Sequence, residues 1–198
     1  MHKHSSTRAE QSPGHRRSEN LRVLGFLGIV IAVAVSVVSL QATVVIPAEF
    51  TEMVNGSQVI VHGVVTRVDA QLVGGRRTIE TVVTVQVVDA LKGVVETTAA
   101  FRVPGGEVGR YRRVMVGAPT FREGDEVVVF LAGRPPVMPM PFGLNQGVYR
   151  VTRAAGRAMV SPVVVDGPAR VVRGDPARRP LAVDAFAASV RAVVARQP

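Results

Sequence analysis

The 198-residue chain contains no cysteine and no tryptophan, and its only lysines are Lys3 and Lys92. Without cysteine neither a disulfide framework nor a thiolate zinc site can exist, so the fold rests on its apolar core. The scarcity of lysine bears on the stretch GGEVG at 105–109, which has the glycines of a phosphate loop but neither the lysine nor a following helix. A flexible turn or bulge is expected there instead, with glycines at positive φ. Aromatic residues make up 5% of the chain, and Tyr111 and Tyr149 are its two tyrosines, which is too few for a base-stacking platform. Histidine occurs four times, and His62 alone lies beyond residue 15. His2 and His4 are too few to form a metal site. No nucleophile elbow or acid pair accompanies His62, so the sequence defines no reaction and calls for no cofactor.

What is present is an apolar run and an excess of arginine. From residue 23 to residue 40 the chain reads VLGFLGIVIAVAVSVVSL, eighteen residues without a charge, twelve of them Val, Leu, Ile or Phe. That is long enough to span a bilayer, and the twelve favour insertion by roughly 5 kcal/mol. Arg16, Arg17 and Arg22 precede the run and no cation follows until Arg67, so the positive-inside rule places the N-terminus in the cytoplasm and the remainder outside it. Both a retained single-span anchor and a signal peptide cleaved near residues 39–42 fit this pattern. Net charge is +9, of which residues 1–22 contribute +3; the remaining nineteen cations and thirteen acids leave the rest at +6, a moderately basic domain.

Beyond the run the pattern is that of a mainly β protein. Pro47 and the spacing of Phe50, Met53 and Val54 predict a short helix ending at Asn55-Gly56. A strand follows from residue 59 to about 73, then a Gly74-Gly75 turn. The returning strand carries Ile79, Thr81, Val83, Val85 and Val87 on one face and Glu80, Thr84 and Gln86 on the other. Further strands are expected at 99–103, 113–116, 126–131, 147–153 and 158–165, with a proline-rich loop at 134–141 and a helix at 181–196 that carries Phe186, Val190, Val193 and Val194 on one stripe. The apolar run at 126–131 reads as a strand buried on both faces. Strands at this spacing, with helices only at the ends, predict a small antiparallel OB-like barrel or sandwich with an N-terminal membrane-spanning or signal helix and a C-terminal helix. The organisation is then a disordered basic N-terminus at 1–20, the anchor or signal at 21–42, the β-barrel domain at 43–166, and a linker with the C-terminal helix at 167–198.

The stretch SQVIVHGVV from residue 57, followed by VDALKG from residue 88, resembles the start of netrin-like and tissue-inhibitor-of-metalloproteinases domains, whose core is an OB-type barrel. FRVPGGEVG at 101–109, GAPTFREGDEVVVFL at 117–131 and GLNQGVYRV at 143–151 are similar to a group of exported bacterial β-rich proteins of unknown function. Together these cover about 47–160, and the resemblance implies an exported location and a barrel. The inhibitors chelate zinc through an N-terminal cysteine that is absent here, so inhibition is not implied.

Two places invite a functional reading. Arg110, Tyr111, Arg112 and Arg113 form the densest cationic cluster of the exported part, with an aromatic inside it, suited to a protein or anionic surface partner. His62 with a nearby carboxylate is the alternative, a hydrolytic site built from loops. Glu123, Asp125 and Glu126 cluster in sequence without the alternating oxygens of a calcium loop and read as a solvated turn. The expectation is a non-catalytic cell-envelope binding module, joined to the membrane through 23–40 and with no nucleic-acid partner. OB-type nucleic-acid or polyanion binding is a further alternative, and its nucleic-acid form would require a cytoplasmic location.

Overall fold

The computed structural model describes residues 48–75, 78–154, 156–163 and 179–197, all within one compact unit, Val45–Pro198. The basic N-terminus, the apolar run and most of the segment before the last helix lie outside the described residues. Helix α1 is Phe50–Gly56, followed by the long strands β1 (Val59–Val73) and β2 (Thr78–Lys92) and then β3 (Thr98–Pro104). The short strands β4 (Gly106–Val108) and β5 (Tyr111–Arg113) precede β6 (Glu126–Ala132), β7 (Met140–Pro141), β8 (Val148–Ala154) and β9 (Arg157–Pro162). The chain ends in β10 (Leu181–Ala182) and helix α2 (Val183–Val194).

The main sheet is antiparallel in the order β10-β9-β8-β6-β1-β2-β3, with β7 also on β6, while β4 and β5 form a separate ribbon. The described sheet is open. Its last strand, β3, is linked to the approach to β7 where the Arg102 amide donates to the Pro139 carbonyl at 3.0 Å. No helix among the described residues is long and apolar enough to cross a membrane, and the run at 23–40 is not among them.

Strands β1 and β6 pair at the centre, and β6 is buried throughout Val127–Leu131 because both of its faces are covered. On one face Ile60, Val128, Phe130, Tyr149 and Val160 pack under the two helices. Phe186 of α2 lies 4.8 Å from the Tyr149 ring and 5.6 Å from Phe50 of α1, so an aromatic cluster glues both helices to the sheet. On the other face Val61, Val83, Val85, Phe101, Val127 and Val129 form a second core, closed by Phe121 edge-on to Phe101 at 5.3 Å. Gly63 is fixed by close approach: a Cβ there would lie 2.2 Å from the Gln86 carbonyl oxygen, at a register shift between β1 and β2.

The helix expected from residue 181 begins at Val183, because Leu181 and Ala182 instead pair with Val160 and Met159 along the edge of β9. Of its expected stripe, Phe186 and Val190 are buried and Val193 and Val194 are half-buried. The strand expected at 113–116 lies earlier, at Tyr111–Arg113, and its partner occupies the stretch expected as a turn. Glycines explain the shift: Gly109, with φ 58°, closes this ribbon, and Gly117, with φ 82°, turns the chain away. Strand β9 runs Arg157–Pro162, and residues 164 and 165 of the expected strand lie outside the described residues.

Candidate functional site

The arginine cluster sits on the β4–β5 ribbon, and that ribbon is held against the outer end of the β1–β2 hairpin. The Gly105 amide donates to the Ile79 carbonyl at 2.9 Å, and the Thr81 hydroxyl donates to the Gly105 carbonyl at 2.8 Å. Gly106 is pressed so close that a Cβ would meet the Thr81 hydroxyl at 2.4 Å and the Ala70 methyl at 3.1 Å. The ribbon is therefore a placed element. Residues 110–116 are all exposed, and they present Arg110, Tyr111, Arg112 and Arg113 outward. The Arg110 guanidinium lies 5.2 Å from the Tyr111 ring and donates to its hydroxyl, while Arg113 donates to the Thr78 hydroxyl at 3.4 Å. Arg112 stands across the ladder from Glu107.

His62 lies on the helix-covered face, opposite Val128 of β6, and its ring is almost wholly buried. Its Nε2 is 2.9 Å from Glu126 Oε1. The same carboxylate accepts a fork from Arg153, with Nε to Oε2 at 2.9 Å and Nη2 to Oε1 at 2.8 Å. Burial pushes the Glu126 carboxyl up, but the hydrogen bonds and charge of Arg153 and then His62 outweigh it and hold the group below the usual range. Beside this network, on β2, Asp89 takes both of its oxygens to Arg191 of α2 at 2.7 Å. The three side chains come from β1, β6 and β8, so the cluster stitches adjacent strands together. Among the described residues, no serine, threonine or tyrosine hydroxyl bonds the His62 ring. With Nε2 engaged by a carboxylate that Arg153 already grips, the arrangement fits a structural clasp better than a free general base.

The remaining acidic residues are divided. Asp125 accepts from the Arg122 amide and from Arg150, whose guanidinium also reaches the Thr120 carbonyl, while Glu123 is exposed in the turn. Among the described residues no three His, Asp or Glu side chains gather as a metal set. Lys92 serves the helix: it donates to the Val54 carbonyl at 2.7 Å, at the C-terminal end of α1, and burial pushes its pKa down.

The partners of His62 escaped sequence reasoning, because Glu126 lies 64 residues along the chain and Arg153 another 27. Compared with protein families, with curated proteins and with solved structures, the chain matches none.

Proposed function

We propose that this chain is an exported or membrane-anchored cell-envelope protein whose folded part is a non-catalytic, OB-like barrel module that binds a protein or anionic surface partner through Arg110, Tyr111, Arg112 and Arg113. The location follows from the apolar run at 23–40 and the arginines before it. The barrel reading draws support from β7 on β6 and from the Arg102 to Pro139 hydrogen bond, which bring the edge strand β3 back toward β6. The observation that carries the function is the β4–β5 ribbon: seven consecutive exposed residues, 110–116, with three arginines and a tyrosine among them, fixed to β2 through Thr81 and Ile79. Exposed arginines on a ribbon that is held by its own backbone are suited to contact, since little backbone ordering entropy is lost on binding.

The test has two arms. A reporter that works only outside the cytoplasm, fused after Pro198, should be active; an inactive reporter overturns the location. The full chain should retain an envelope component at low salt and release it at high salt, and Arg110→Ser, Arg112→Ser and Arg113→Ser together should abolish retention. Equal retention by the triple variant overturns the assigned surface. Loss of function on His62→Ala, with folding unchanged, would favour the hydrolytic reading, which draws on the His62–Glu126 contact.

A further inference from the structure

We propose that the β4–β5 ribbon and the turn after it dock onto an anionic lipid surface, with Val114, Met115 and Val116 entering the interface while Arg110, Arg112 and Arg113 meet lipid phosphates. The inference rests on the binding reading above and names its partner. Arginine alone would suit any polyanion; the residues that follow the arginines narrow the choice.

Val114 is 71% exposed and Val116 88%, and with Tyr111 at 54% and Met115 at 38% they put four large apolar side chains into water within six residues. Such a concentration on a folded surface marks a contact site rather than ordinary scatter. The backbone holds them there. The Ala118 amide donates to the Met115 carbonyl at 3.1 Å, and Gly117 has φ 82°, the value a type II turn requires of its third residue. Val116 therefore stands at the apex, a position that water-facing turns give to proline or polar residues. Leu72, 37% exposed, is paired with Ile79 on the hairpin arm that supports the ribbon.

A polysaccharide or nucleic acid would answer the arginines and leave the valines wet. A bilayer interface answers both: apolar tips reach the acyl boundary, tyrosine rings lie among the headgroups, and guanidiniums pair with phosphates. Glu107 is the one carboxylate in 105–116, leaving this segment at +2, complementary to an anionic leaflet. Three arginines near such a surface shift the ratio of docked to undocked protein by on the order of a hundredfold.

The absence of cysteine makes single-site labelling clean. Val116→Cys and Val94→Cys, each carrying a polarity-sensitive fluorophore, are made in the full chain and reconstituted into vesicles of phosphatidylcholine alone or with phosphatidylglycerol. Val94 is fully exposed and follows β2 at the end away from the ribbon, so it reports general proximity to the bilayer. With phosphatidylglycerol present, the label at 116 should shift to the blue and be quenched several-fold more by brominated lipid than the label at 94. Arg110→Ser, Arg112→Ser and Arg113→Ser in the Val116→Cys background should remove the difference. Equal quenching at the two sites overturns lipid docking. So does a label at 116 that is shielded only when an envelope protein fraction is added, although the binding reading then survives with a protein partner. If the triple variant also keeps its envelope partner, the binding reading falls as well.

Discussion

Along β1, residues 60–64 pair with β2 on one side and β6 on the other, whereas residues 67–73 pair within the sheet with β2 alone. The inner half is buried almost without interruption from Ile60 to Gly63, and the outer half, with Val68, Leu72 and Val73 in it, is exposed or half-exposed. Apolar residues occur in both halves, so the second neighbour decides what is buried, not the local sequence. The polar groups divide in the same way. In the inner half His62, Glu126 and Arg153 satisfy one another across three strands. At the outer end the arginines of the ribbon turn toward water. Stability is concentrated in one region and accessible chemistry in the other.

The sharpest way to break this comparison is to truncate one apolar side chain in each region. Phe130 is fully buried and packs against the rings of Phe50, Tyr149 and Phe186. Phe130→Ala should cost about 3–5 kcal/mol, read as a lower urea midpoint. Leu72→Ala, in the outer half, should cost no more than about 0.5 kcal/mol. Comparable losses at the two sites would mean that the outer half is covered in solution.

A smaller effect is expected at the clasp. Glu126→Gln keeps the shape and removes the charge that His62 and Arg153 share, and should cost about 1–2 kcal/mol at neutral pH. The pH dependence has a definite sign. A carboxyl held below its ordinary value of 4.5 in the folded state stabilises the fold fully above that value and loses its contribution as pH falls through the folded pKa. Urea midpoints of wild type and variant should therefore differ at pH 7 and converge in the acid range below 4.5. A constant difference would place the loss in packing rather than in charge.

The elements that could be read from the sequence are those whose signal is local. The alternation from Ile79 to Val87 reports β2 with its faces correctly assigned, because a period of two and a half-buried strand are the same physical fact. The stripe of Phe186 and Val190 reports α2 for the same kind of reason. The Leu181–Ala182 strand is invisible, since two residues carry no period and are extended only because the edge of β9 is there to receive them. The arginine cluster was legible as composition, yet its pinning by Thr81 depends on a ribbon whose existence is decided by glycine φ angles. The His62 clasp was half legible: the histidine stood out, but its carboxylate follows from the registers of β1, β6 and β8, which no spacing along the chain records.

The least effect on stability is expected where the effect on binding is greatest. Arg110 contributes an exposed contact with Tyr111, Arg112 faces Glu107 across an exposed ladder, and Arg113 reaches the Thr78 hydroxyl at 3.4 Å. Exposed contacts of this kind are worth little, so replacing all three arginines by serine should move the unfolding free energy by about 0.5–1 kcal/mol at most. The ribbon keeps its place through backbone and Thr81 hydrogen bonds that the substitution leaves intact. A thermal melt that stays nearly coincident with wild type, beside lost retention of the proposed envelope partner, separates a contact surface from a structural one. A melt depressed as far as that of Phe130→Ala would instead show that the outer region holds the fold together, and the division between the two halves of β1 would have to be abandoned.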